Sequence, residues 1–222
     1  MEVKVISPKV SNFLQIKLDK NILDYLWQII DIAKNKKQSH KKELAGNISA
    51  SFLLEDKDSY FYKSVCIPLV KCYRANNPLN KGGDPEVSNA IEGTKTKLLL
   101  NRFWVNYQYQ SEFNPFHHHS GVYSFVIWMK IPYSWDEQIK LPQFKDIKEK
   151  DIKAGNFEFG YTDTLGDVIT SGYSLSPKFE GYMILFPARL RHCVYPFYET
   201  KEPRISIAGN LSYIPDYKVK TI

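Results

Sequence analysis

The chain has 222 residues, 43% hydrophobic and 24% charged, with 13 Phe, 15 Tyr and 4 Trp; this is enough apolar side chain for one sizeable core, and it excludes a disordered or coiled-coil polypeptide. The net charge is +6, but the lysines gather in residues 34–42 and 140–153, the second run interleaved with Asp146, Glu149 and Asp151, so a nucleic-acid surface is not indicated. Cys66, Cys72 and Cys193 form neither a disulfide framework nor a zinc knuckle and suit a reducing cytoplasm, and no stretch approaches the ~20 apolar residues of a membrane span.

In chain order, Asp19 is a plausible N-cap for an amphipathic helix in which Ile22, Leu23, Leu26, Ile29, Ile30 and Ala33 recur at helical spacing. A second helical pattern, Phe61, Val65, Leu69 and Tyr73, follows Asp56, and Pro68 must kink or divide it. Residues 76–94, with Asn76-Asn77-Pro78 and Gly82-Gly83-Asp84-Pro85, read as a long polar loop.

From there the texture is strand-like, in runs 97–109, 121–131, 155–161, 168–175, 181–186, 193–198 and 204–213. Strands in such close succession cannot make parallel crossovers, so two facing antiparallel sheets are expected. The fold class is therefore mainly β, a jelly roll with N-terminal buttressing helices. Residues 1–95 are read as an extension packed on a core of residues 96–222, making one compact domain. The charged segment 136–153 is a surface insert or an active-site cover.

Three of the five histidines are consecutive, His117, His118 and His119, and a fourth, His192, lies inside the strand-rich half. In extended backbone His117 and His119 share a face, and a third imidazole from His192 completes a facial set that leaves metal positions open. The bland reading is a polar loop whose histidines sit in solvent. Downstream, Arg204 and Ser206 share a strand face, and a planar guanidinium beside a hydroxyl suits a carboxylate; an ion-paired edge arginine is the alternative. Trp104, Tyr123, Trp128 and Tyr195 are candidate pocket walls, with core packing the first reading of each because the chain holds so many aromatics.

The series His-x-His, distal His and Arg-x-Ser resembles the Fe(II)- and 2-oxoglutarate-dependent oxygenases. The text from Asn114 to Gly121, from Phe125 to Pro132 and from Leu185 through His192 looks like oxygenases encoded by marine cyanophages. The resemblance covers about residues 97–213. It implies a double-stranded β-helix of the cupin-like kind. It also implies that His117, His119 and His192 hold the iron as catalytic centre, and that Arg204 with Ser206 holds the distal carboxylate of 2-oxoglutarate. Tyr107 resembles in position a tyrosine that supports the cosubstrate in the prolyl-hydroxylase branch; as one aromatic of a strand-rich chain it reads first as a core residue. The implied activity is hydroxylation with O2 of an unknown prime substrate, in the host cytoplasm for a phage-encoded enzyme.

Most of that superfamily has a carboxylate where this chain has His119. Two other readings follow: a three-histidine cupin-like dioxygenase that does not use 2-oxoglutarate, and a non-catalytic metal-binding jelly roll.

Overall fold

The computed structural model describes residues 12–36, 39–41, 45–77 and 96–215. Among the described residues ten strands form two antiparallel sheets. They are β1 (Leu14–Lys17), β2 (Ala50–Leu53), β3 (Thr96–Gln108), β4 (Asn114–His117), β5 (Tyr123–Lys130), β6 (Phe157–Thr162), β7 (Val168–Tyr173), β8 (Tyr182–Pro187), β9 (Arg191–Val194) and β10 (Arg204–Pro215). The larger sheet runs β1-β8-β5-β10-β3-β2 and the smaller β4-β9-β6-β7. Strands β3 to β10 shuttle between the two sheets as a double-stranded β-helix, the expected fold class.

Helix α1 (Lys20–Lys36) starts where Asp19 carbonyl accepts the first backbone N–H bonds, and it turns Ile22, Leu26, Ile29, Ile30 and Ala33 into the core. The second helical stretch divides near Pro68, as its ring requires: a π turn (Tyr62–Cys66) gives way to α2 (Ile67–Asn76). The Asp56 carboxylate accepts the backbone N–H groups of Phe61 and Tyr62 and so fixes where this stretch begins. Phe61 then stacks on Phe103, ring centroids 5.4 Å apart, which seats the helices on the larger sheet.

That sheet has two unlike faces. Phe103, Val105, Tyr107, Phe125, Ile127, Ile205 and Ile207 meet the helices in one core. The alternate residues of the same strands face the smaller sheet across the interior of the sandwich. There Trp128, Phe157, Phe159, Ile184 and Phe186 make a second core.

Three strands exceed the seven expected. β1 and β2 come from the N-terminal region and form the two edges of the larger sheet, so the extension is knitted into the core sheet itself. β4 is the third. The run expected over 193–198 is instead β9 at Arg191–Val194, because Pro196, which has no N–H to give a ladder, follows directly.

Residues 136–153 fold as α3 (Trp135–Gln138) and two single 3-10 turns. Gln138 and Tyr198 exchange two hydrogen bonds, 2.9 and 2.8 Å, which fasten the segment to the loop after β9. None of its residues lines the cavity described next. The polar loop expected over 76–94 falls almost wholly outside the described residues.

Candidate metal centre and its cavity

β4 is four residues long and contains a proline, yet it is held from both sides. His117 pairs in register with His192 of β9, and Asn47 bridges to Phe113 just before the strand. Beyond β4 the chain turns, and His119 N–H donates to the Ala188 carbonyl in the β8–β9 turn at 2.9 Å. Backbone pairing alone thus brings together three imidazoles that are 73 or more positions apart in part; ring centroids are 4.3 Å for His117–His192, 5.0 Å for His117–His119 and 5.1 Å for His119–His192. One ligating nitrogen from each lies within 4.8 Å of the others.

The ring orientations suit a metal. His117 Nδ1 lies 2.7 Å from the Pro115 carbonyl and His192 Nδ1 3.0 Å from the Leu190 carbonyl. A carbonyl only accepts, so each Nδ1 carries the proton and Nε2 keeps its lone pair for a ligand. Burial, reinforced by the neighbouring imidazoles, pushes His192 down to about 3 and His119 down to about 4, and burial lowers His117 as well. All three are therefore neutral at pH 7, the form that binds metal. The donor set fits a divalent ion.

The histidines border a cavity of about 290 Å³ between the sheets. Its far wall is the inward face of β3 and β10, where Trp104 is opposite Ala208, Asn106 opposite Ser206 and Arg102 opposite Asn210. The Trp104 ring meets His119 edge-on at 5.7 Å and lies against His40 at 5.1 Å. Two polar groups on this wall, Trp104 Nε1 and Asn106 Oδ1, have no hydrogen-bond partner among the described residues.

The expected site residues fall into three sets. His117, His119, His192 and Ser206 border the cavity. Arg204 shares the inward face of Ser206 but lies beyond the cavity wall, only 2% exposed. Its guanidinium donates to Tyr133 Oη, to Gly155 O at 3.1 Å, to Gln108 Oε1 at 2.5 Å and to Tyr195 O at 3.5 Å. Rings of Tyr133 and Phe197 flank it at 5.8 and 5.7 Å.

Tyr107 needs correction. It is one residue out of phase with Trp104 and Asn106, so it faces the helices, packs in their core and lies under the Lys34 ammonium at 5.7 Å. Of the four candidate walls only Trp104 lines the cavity; Tyr123 and Trp128 are core, and Tyr195 donates to Glu158.

Sequence reading missed Arg102, Asn106, Asn210, Gln108 and Tyr133. The first three carry a signal in hindsight, since each has the strand phase of a residue already singled out, Arg102 and Asn106 that of Trp104 and Asn210 that of Ser206. Gln108 and Tyr133 meet Arg204 only through the fold.

Residues 102–210 match a sequence-family model described as "Putative 2OG-Fe(II) oxygenase". A search of curated proteins found no match. Among solved structures, a prolyl-4-hydroxylase from Pseudomonas putida superposes with a TM-score of 0.50 at 12% identity, covering 90% of this chain and 91% of that one. An oxidoreductase of the 2OG-Fe(II) oxygenase family from Burkholderia pseudomallei gives a TM-score of 0.43 at 12% identity, over 89% and 84%. At such identity the prolyl-4-hydroxylase likeness shows a shared fold. The family match spans all three histidines, Arg204 and Ser206.

Proposed function

We propose that the protein is a non-haem Fe(II)- and 2-oxoglutarate-dependent oxygenase of the hydroxylase type. The observation that carries the reading is the convergence of His117, His119 and His192, one ligating nitrogen each, on the wall of a cavity inside a double-stranded β-helix. Three protein ligands leave coordination positions open, as a chelating cosubstrate and O2 require. When bound, the iron would supply activation of O2, one oxygen atom going to the substrate C–H bond as a hydroxyl and the other to succinate as 2-oxoglutarate loses carbon dioxide.

The chain's own residues bind and orient. The Pro115 and Leu190 carbonyls hold two imidazole rings in the ligating tautomer. Arg204 is suited to the distal carboxylate because its hydrogen-bond partners among the described residues are all neutral oxygens. A buried cation so placed gains from an anion. Ser206, one inward position nearer the cavity, adds a hydroxyl donor, and Tyr133 Oη is a second group at the guanidinium. Phe157, Phe186 and Val126 keep water from the rest of the wall. The cyanophage resemblance, and with it a place in the host cytoplasm, belongs to this same proposal.

Two features favour a second reading, a three-histidine dioxygenase that does not use 2-oxoglutarate. His119 stands where a carboxylate ligand is usual in the superfamily, and Arg204 is already hydrogen-bonded behind the cavity wall. The two are separated by anaerobic titration of Fe(II)-loaded protein with 2-oxoglutarate, followed by a succinate assay in air. The expected result is the visible charge-transfer band of a chelated keto acid, weakened in Ser206→Ala and lost in Arg204→Ala while both variants still bind iron; His192→Ala binds none. Iron binding in the wild type without band or succinate would transfer the assignment to the second reading.

A further inference from the structure

Two open sheets have four edge strands, and an edge is a row of N–H and C=O groups that proteins usually guard. Among the described residues three of the four are guarded. β1 carries Lys17, β4 carries Pro115 and a register shift, and β2 is bridged by Ser39 at Phe52, with His40 N–H donating to Ser51 O at 2.9 Å. β7 is the exception. Val168-Ile169-Thr170-Ser171-Gly172-Tyr173 is the longest of these edges and has no charge, no proline and no register shift against β6. At the mouth of its hairpin Asp163 N–H donates to Asp167 O at 2.9 Å. By the alternation of an antiparallel ladder, Ile169, Ser171 and Tyr173 then bond to β6, while Val168, Thr170 and Gly172 turn their N–H and C=O groups outward.

The side chains along this edge complement the same strand run antiparallel. Leu165 and Val168, 82% and 83% exposed, are the two most exposed large hydrophobics among the described residues, and both belong to this hairpin. Val168 and Gly172 lie on one face of β7, and Gly172 offers no side chain. With Thr170 opposite itself across a two-fold axis, Val168 of each copy lies over the bare Gly172 of the other, and the outward groups of residues 168, 170 and 172 all meet partners. Charge agrees with this direction. The strand starts after Asp163 and Asp167 and leads toward Lys178; Asp167 and Lys178 are exposed and form no ion pair among the described residues. Antiparallel pairing sets the acidic end of each copy toward the basic end of the other, whereas parallel pairing would set like charges together.

We propose that β7 is a dimerisation edge, pairing antiparallel with β7 of a second copy of this chain about a two-fold axis at Thr170. The smaller sheets of the two copies then join into one continuous sheet, each contributing β4-β9-β6-β7. The three histidines lie on β9 and on or just beyond β4, at the far side of that sheet from β7, and no residue of β7 lines the cavity. Each copy therefore keeps its own complete cavity, and the inference stands whether or not the oxygenase reading does.

The test is sedimentation of the full chain across the micromolar range, as wild type and with Val168 replaced. The expected result is a reversible monomer–dimer equilibrium whose Kd rises by about tenfold or more in Val168→Lys, because the pair with Gly172 is lost twice over. Val168→Pro, which removes an outward N–H at the first position of the strand, should act in the same direction. Unchanged melting curves in dilute solution confirm that the variants are folded. The register is read from Thr170→Cys combined with Cys72→Ser: paired Cα atoms about 5.5 Å apart permit a disulfide, so mild oxidation should give a covalent dimer. Cys72 is replaced because it is exposed, whereas Cys66 and Cys193 are buried. A wild type that stays monomeric, a Kd unchanged in Val168→Lys, or no covalent dimer would overturn the proposal. So would amide exchange at Val168, Thr170 and Gly172 that is slow at every concentration, which would give the edge to another segment of the same chain.

Discussion

Arg204 illustrates how much one residue depends on its neighbours. Gln108 Nε2 donates to the Glu112 carbonyl at 2.6 Å, which forces Gln108 Oε1 toward the guanidinium. Gln108 is thereby a positioning residue for Arg204. Replacing it with Leu leaves buried donors unmet and should cost about 2 kcal/mol of stability, read from denaturant unfolding. Gln108→Glu is the sharper variant: a carboxylate there pairs with Arg204 and competes with the cosubstrate. Its 2-oxoglutarate Kd should rise by about tenfold, near 1.4 kcal/mol, with iron binding kept; an unchanged Kd would remove Arg204 from the cosubstrate site. Strand parity made Arg204 and Ser206 legible as a pair on one face, whereas His119 reaches the other imidazoles through the turn beyond β4, held by its N–H bond to the Ala188 carbonyl. The sequence could not reveal Gln108 or Tyr133, since nothing local ties either to Arg204; of the two readings open for Tyr107, its strand phase selects the core aromatic.

At the scale of elements, β4 decides whether the histidines converge. Gly46 packs so closely on it that a Cβ there would meet the Asn114 side chain and the Phe113 carbonyl, and Phe116 fills the space above Gly160 in the same way. Gly46→Val should push β4 from its register and weaken metal binding far more than it lowers the melting temperature, checked by Zn(II) titration beside thermal unfolding. Equal loss of both would mean general misfolding. The long helix and the long strands were readable because their periodicity extends over many residues. β1, β2 and β4 have four residues each, too few to show a period, and exist only because distant strands pair with them. The site was thus legible as a set of residues before the strand that assembles it was.

For the molecule as a whole, the buried imidazoles couple folding to pH. Folded His192 and His119 hold protons only near pH 3 and 4, whereas in the unfolded chain they do so near 6.5. As pH falls below about 6.5 the unfolded state takes up protons first, so stability is full above that pH and declines toward pH 4. Glu158, lowered by hydrogen bonds from Thr170, Tyr195 and Lys153, acts in the same direction at lower pH. The metal-free protein should melt at a constant temperature from pH 8 to about 6.5 and progressively lower beneath it; a melting temperature that rises on acidification would contradict the neutral-imidazole site. The edges of the larger sheet bear on something else, the order in which the chain can reach this state. Leu14 of β1 pairs with Leu185 of β8, and Thr96 at the start of β3 with Pro215 at the end of β10. During synthesis, then, the first strand leaves the ribosome long before its partner exists, and no early portion can close the sheet. Folding must wait for the last strand, which makes it slow and leaves the nascent chain dependent on protection from aggregation until β10 is inserted between β3 and β5.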